Sequence, residues 1–178
     1  MKEWDALITQ MQANQITALQ ETNNITEKFG LTITREDAVL LMEERKSTLR
    51  EQGRVEFGEG ILPKLIYTFC DSDYMDQENY VDTLCRLQEI FYLYKGESLE
   101  IVTDDELLSV MREQYEDVCF GDLDYLEGTC LKIFSEAVRA GYRGFIGDRT
   151  GSVYEQLDEV PRWDRELYLQ TLKELCGE

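Results

Sequence analysis

Histidine is absent from the 178 residues, and its absence removes several kinds of catalytic site at once. Ser-His-Asp and Cys-His nucleophiles, histidine proton shuttles and histidine-ligated zinc all need an imidazole. The five cysteines have no Cys-x-x-Cys spacing, and their odd number argues against a disulfide framework. We therefore expect no metal and no cofactor. A cysteine nucleophile activated by Lys or Arg stays open on chemistry alone.

Proline, basic charge and long apolar runs are also scarce. Pro63 and Pro161 are the only prolines, and their scarcity beside abundant Leu, Glu and Gln favours helices. Eighteen basic residues oppose 37 acidic ones, for a formal net charge of −19, which disfavours nucleic acid and anionic membranes as partners. The sequence has neither an export signal nor an apolar run of about 18 residues. It therefore predicts a cytoplasmic protein without a membrane span.

The densest apolar stretch, Gly53 to Gly96, predicts a helical hairpin at the centre of the fold. Its first half has apolar residues on one helical stripe, which are Ile61, Leu62, Leu65, Ile66, Phe69 and Cys70. A second helix is predicted from about Gln77 to Lys95, with a stop at Gly96. Its stripe consists of Tyr80, Leu84, Leu87, Phe91 and Tyr94.

Helices are also predicted on both sides of this hairpin. From Lys2 to Glu21, the residues expected on the buried side are Trp4, Leu7, Ile8, Met11, Ala18 and Leu19. Thr34 and Asp37 form a capping box that starts the next helix, where Glu43, Glu44, Arg45 and Lys46 are expected to face water. Val55 and Phe57 are expected to anchor the irregular segment after it.

The second half of the chain carries the clearest helix start. Thr103 and Glu106 form a capping box, with Val102 placed for a hydrophobic staple. A further helix is predicted from Leu123 to near Gly141, and Gly128 inside it would permit close approach of another helix. Glycines then punctuate a connector up to Gly151, and Trp163–Asp164 is expected to begin a final helix that ends at Cys176.

Together these patterns predict an all-α, single-domain helical bundle of about six or seven helices around a central αα-hairpin. Residues 1–141 would form the helical core domain. Residues 142–178 would form a glycine-rich connector and a C-terminal helix packed on the core or extending from it.

Several sequence features look like ligand sites but do not complete the required pattern. Read as an EF-hand loop, the acidic turn Asp71-x-Asp73-x-x-Asp76 has no glycine at the required place. Gly58-x-Gly60 follows no strand, so it is not a dinucleotide fingerprint. Glutamates near Glu113–Asp117 could hold magnesium in a carboxylate-only site, although their spacing suits a solvated helix face better.

Two groups of residues are candidates for binding. Tyrosines concentrate in the central hairpin, and Tyr67, Tyr74 and Tyr92 could line an interface, because tyrosine joins an apolar ring to a polar tip. They could equally belong to the edge of the core. Arg143 and Arg149 lie in the most basic window of an acidic chain, where they could meet an anion or a partner or simply solubilise a tether.

Four short stretches carry a resemblance to a known family. They are Gly53-Arg54-Val55-Glu56-Phe57-Gly58, Thr68-Phe69-Cys70-Asp71-Ser72, the run from Leu87 to Lys95, and the run from Leu123 to Cys130. Over residues 1 to about 145, the chain resembles an uncharacterised family of small acidic helical proteins from anaerobic bacteria. The resemblance implies a helical fold and carries over no catalytic or binding residue.

The sequence favours a cytoplasmic protein–protein interaction or adaptor protein without catalytic activity. The net charge predicts basic groups on a protein partner, and self-association is the other arrangement that we expect. The alternative is a metal-dependent hydrolase that uses carboxylates alone, similar to helical nucleotide pyrophosphohydrolases. A third arrangement, an acidic mimic of nucleic acid, would need carboxylates spaced like backbone phosphates.

Overall fold

The fold is that of a computed structural model, which describes residues 2–58, 60–142, 145–147, 161–163, 170 and 173–174. Its elements in chain order are α1 (Lys2–Glu21), α2 (Asn23–Thr26), a 3-10 turn (Glu27–Phe29), α3 (Arg35–Glu51), α4 (Leu62–Phe69), α5 (Tyr80–Glu97), α6 (Asp104–Asp117), α7 (Leu123–Tyr125), a π turn (Leu126–Cys130), α8 (Leu131–Arg139), β1 (Phe145–Gly147) and β2 (Pro161–Trp163). Six of these described helices have eight residues or more, and they contribute to one buried core. The predicted all-α, single-domain fold is confirmed.

The hairpin of α4 and α5 is the centre of this core. Leu62, Leu65, Ile66 and Phe69 of α4 are fully buried, as the helical stripe predicts. α5 packs against α3, α4, α6 and α8, and its buried residues cover most of its circumference. A helix that is apolar nearly all round is stable only when other elements surround it.

Both predicted capping boxes are present. The Thr34 hydroxyl accepts from the backbone N–H of Asp37, whose carboxylate accepts from the backbone N–H of Thr34. Thr103 and Glu106 make the same reciprocal pair at the start of α6. Such local pairs can be read directly from sequence, because both partners lie within one helical turn.

The end of α5 differs from the prediction. The helix continues through Gly96 to Glu97, and the left-handed turn falls on Leu99 (φ 58°) and Glu100 (φ 60°). The reason is tertiary: the Lys95 ammonium donates to the Val102 carbonyl and lies 2.9 Å from the Asp104 carboxylate. These contacts fix the segment after α5 and so place the turn beyond the glycine.

The predicted helix from Leu123 to Gly141 is interrupted by the π turn. The Tyr94 hydroxyl donates to the carbonyl of Glu127 within that turn, and a side chain inserted into the hydrogen-bond ladder of a helix distorts the helix locally. The prediction that Gly128 permits close approach of another helix is wrong, because a Cβ there would meet no atom within 4 Å.

α1 is the largest departure from the sequence-based prediction. Leu19 is its only fully buried residue, and every residue from Lys2 to Gln12 is exposed. The prediction was therefore wrong for Trp4, Leu7, Ile8 and Met11, because no element in the described part of the chain covers this half of the helix.

The segment after α3 also differs from its prediction. Val55 and Phe57, expected as anchors, are 84% and 86% exposed. An apolar side chain in an irregular segment is buried only if a neighbouring element covers it. In the described part of the chain, no element covers these two side chains.

At the C-terminal end, β1 and β2 pair antiparallel, with Phe145 opposite Trp163. This pairing holds Trp163 extended, so the predicted helix does not begin there. Gln170, Lys173 and Glu174 are helical, and the rest of the predicted 142–178 unit beyond these elements lies outside the described residues. No helix in the described part of the chain has both the length and the apolar character to cross a membrane.

Candidate functional site

A groove of about 710 Å³ lies between α1, α3 and residues 53–56. Its uncharged walls are formed by Ile8, Met11, Gln12, Gln15, Met42, Leu49, Gly53 and Val55. Its charged residues are Arg45, Lys46, Arg50, Arg54 and Glu56. Four of these five are basic in a chain whose formal net charge is −19, so the groove reverses the prevailing charge locally.

One face of α3 supplies much of the groove. Met42, Arg45, Lys46, Leu49 and Arg50 recur at helical spacing, so they project from the same side of the helix. The capping box at Thr34 fixes where the helix starts and therefore where this face points. Two apolar and three basic side chains are therefore interspersed along it.

Arg45 is the most buried cation of the groove. Its side chain is only 5% exposed, yet its nearest carboxylate oxygen, Glu56 Oε2, lies 4.0 Å from Nη2. Nη2 also donates to the Phe57 carbonyl over 3.5 Å, and Nε has no hydrogen-bond partner. A Cβ at Gly60 would lie 2.7 Å from Nε, so glycine gives the guanidinium its space. The Arg45 charge is weakly neutralised for a buried guanidinium.

Glu56 is the acidic centre around which the arginines gather. The Tyr92 hydroxyl donates to Glu56 Oε2 over 2.6 Å, and Arg54 Nε lies 3.8 Å from Oε1. Burial, followed by this hydrogen bond, raises the pKa of Tyr92, so the phenol stays protonated and can only donate to the carboxylate. One carboxylate is thus shared among Tyr92, Arg45 and Arg54.

Arg54 fixes the outer edge of the groove through Glu100. Two guanidinium nitrogens donate to the two carboxylate oxygens of Glu100, and the guanidinium carbon lies 5.6 Å from the centre of the Tyr92 ring. The hydrogen bond from Arg54 lowers the pKa of Glu100. A two-pronged pair of this kind holds the guanidinium plane in one orientation.

Beside the groove, the exposed half of α1 presents an apolar stripe. We define the α1 stripe as Trp4, Leu7, Ile8 and Met11, which follow i, i+3, i+4, i+7 spacing and are between 46% and 70% exposed. Ile8 and Met11 also line the groove. The stripe and the groove are therefore one continuous surface.

The predicted binding residues have different places in the structure. Tyr92 is buried and touches the groove through Glu56. Tyr67 is half-buried on α4 and Tyr74 lies in the connection between α4 and α5; neither lines the groove. Arg143 and Arg149 lie outside the described residues.

Sequence reasoning missed the basic face of α3. Arg45 and Lys46 follow Glu43 and Glu44, and this charged run predicted a solvated surface. The structure shows that Arg45 is buried, because Glu56, Phe57 and Gly60 fold over it from the following segment. The available signal was the cluster of four cations between residues 45 and 54 of an acidic chain.

The described thiols and carboxylates show no catalytic or metal-binding arrangement. Burial raises the pKa of Cys70 to about 11 and those of Cys85 and Cys119 to about 12, so these thiols stay protonated at neutral pH. Cys119 Sγ lies 3.5 Å from Cys130 Sγ. Among the described residues, no three Cys, Asp or Glu side chains converge so that they could hold a metal ion.

Comparison with known proteins gives one finding on family and none on activity. No curated protein and no solved structure matches the chain. The sequence profile of a family of unknown function (DUF6323) matches residues 18–144, which includes α3 to α8 and the basic side of the groove but excludes the α1 stripe. The match covers well over half of the 178 residues, and the chain belongs to this family of unknown function.

Proposed function

We propose that this protein is a helical protein–protein interaction or adaptor protein that docks a partner on the α1 stripe and the adjoining groove. One observation carries the proposal: the α1 stripe is an amphipathic helix face that no described residue covers. The Trp4 side chain is 70% exposed, the highest value in the stripe. Contiguous apolar patches on a protein surface commonly mark interaction sites.

The shape of this surface favours a helix as the docking element. A groove between two helices accepts the apolar face of a third, whose side chains enter it at i, i+3, i+4 and i+7. The walls from Met11, Met42 and Leu49 offer apolar contact for such side chains.

The charge of the groove determines which charged residues are favoured on the polar side of the partner helix. Lys46 and Arg50 are exposed at the groove. The Lys46 ammonium lies 3.4 Å from the Glu43 carboxylate, and Arg45 and Arg54 lie beside the two exposed cations. Acidic residues on the partner would be attracted here, and basic ones repelled. The net charge predicts a basic partner for the surface as a whole, whereas the groove argues for acidic groups at the docking point.

Charge-matched peptides test this function. The probe is a labelled helical peptide with leucines at i, i+3, i+4, i+7 and glutamates at its flanks, and its control has lysine in place of each glutamate. Fluorescence anisotropy should show at least about tenfold tighter binding of the acidic peptide. The double variant Lys46→Glu/Arg50→Glu should reverse the preference. Equal affinity for both peptides, or no effect of the double variant, would overturn the proposal.

The carboxylate-only hydrolase stays a prediction of the sequence that no specific observation favours. Its screen is a thermal shift with Mg²⁺, Mn²⁺ or Ca²⁺, because a metal bound by the folded state raises Tm. An unchanged Tm with all three ions would count against it.

A further inference from the structure

α1 itself has the properties of the helix that the groove requires. The α1 stripe has the i, i+3, i+4, i+7 spacing of a docking helix. At 100° per residue, Glu3 and Asp5 fall on opposite flanks of this stripe. The chain thus carries both an amphipathic helix with a carboxylate on each flank of its apolar face and a basic, partly apolar groove.

The α1 stripe and the groove are placed so that the stripe of one copy can bind the groove of a second copy, and the reverse. If two α1 helices pair antiparallel about a two-fold axis at Ile8, Trp4 of one copy lies opposite Gln12 of the other, since each is four positions from Ile8. In the same way Asp5 lies opposite Met11. Gln12 and Met11 both line the groove, so Trp4 and Asp5 of one copy arrive at the groove of the other.

We propose that a second copy of this chain occupies the groove. The two copies form a symmetric dimer in which Trp4 of each enters the groove of the other. Asp5 of each copy, which lies on the same flank of the stripe as the groove residue Gln12, pairs with Lys46 and Arg50 of the other. This inference rests on the proposed function, because it names the partner for the same surface. Charge complementarity and the self-complementary two-fold arrangement support this occupant.

Analytical ultracentrifugation of the full chain over a wide range of concentrations tests the dimer. The wild type should dimerise, and Trp4→Ala should weaken dimerisation at least about tenfold, because a tryptophan that becomes buried in an interface is a common energetic anchor. The matched control is Phe120→Ala, which removes another exposed aromatic side chain away from the groove and should leave dimerisation unchanged.

A charge swap tests the pairing directly. Asp5→Lys and Lys46→Glu/Arg50→Glu should each weaken self-association, because each places like charges together. A mixture of the two variants should restore a dimer that contains one copy of each. A monomeric wild type at all concentrations, a dimer insensitive to Trp4→Ala, or a mixture without rescue would each overturn the inference.

The peptide experiment separates this inference from the proposed function. A monomeric wild type that binds the acidic peptide more tightly would overturn the dimer and leave the proposed function standing. A monomeric wild type that binds neither peptide, or binds both peptides with equal affinity, would overturn both.

Discussion

Two carboxyl groups face each other between α3 and α5. Glu44 and Glu89 share a hydrogen bond, and this bond, then burial and the Glu44 charge, raise the pKa of Glu89 to about 7 from an ordinary value of 4.5. Between about pH 4.5 and pH 7, Glu89 is therefore protonated in the folded protein and ionised in the unfolded chain. The stability from this pair is fully present below about pH 4.5 and is lost as the pH rises through about 7.

Replacing Glu89 with Gln should remove this pH dependence. Glutamine can keep the hydrogen bond to Glu44 without the second charge, so the variant should lose less stability between pH 5 and pH 8 than the wild type. Because the Glu89 side chain is 42% exposed, solvent screening limits the difference to about 1 kcal/mol. Urea unfolding across that pH range measures it, with the exposed Glu78→Gln as control. Parallel pH profiles for wild type and Glu89→Gln would contradict this explanation.

At the scale of elements, the turn after α5 stores backbone strain in two consecutive left-handed residues. Leu99 (φ 58°) and Glu100 (φ 60°) both carry a Cβ in a conformation that favours glycine. The pair between Arg54 and Glu100 holds the second of them. Leu99 is 62% exposed, so burial of its side chain contributes little stability to offset the strain.

Leu99→Gly should therefore stabilise the protein. Relief of the left-handed strain exceeds the added chain entropy of glycine in the unfolded state, for a net gain of about 0.5–1 kcal/mol. Thermal unfolding should show a Tm raised by about 2–3 °C. Leu99→Ala keeps the Cβ and serves as the control without relief; if both variants melt at the same temperature, the turn is not strained.

The elements also show what the sequence could and could not predict. The starts of α3 and α6 were predicted because Thr34 and Thr103 find their partners within one turn. The hairpin was predicted because its apolar stripes are too wide for a surface helix. The α1 stripe has the same periodicity as a buried face, and periodicity identifies the apolar side of a helix without showing whether anything covers it.

The candidate site was harder to predict than the fold. The burial of Arg45 depends on Gly60 and Phe57, which approach from a segment without regular structure. Tyr92 was expected at an interface, but its role as a donor to Glu56 requires a contact across 36 positions of sequence. Contacts of this range come from tertiary packing, which local patterns do not encode.

At the scale of the whole molecule, charge and apolar exposure are unevenly distributed. The chain carries a formal net charge of −19, yet four cations gather at one groove, and an uncovered helix face adjoins it. The family match begins at residue 18, so the basic wall belongs to the matched region, whereas the apolar stripe precedes it. The proposed docking surface thus joins a family element with a segment outside that match.

The most direct test of the central claim is site-specific photo-crosslinking in cells from a photoreactive residue at position 7. Leu7 belongs to the α1 stripe, and Thr9, which lies about 200° further round the same exposed helix, is the matched control position. If the stripe is a docking surface, position 7 should give a discrete crosslinked adduct, either with a partner or with a second copy, and position 9 should not. No adduct from position 7, or the same adducts from both positions, would contradict the account.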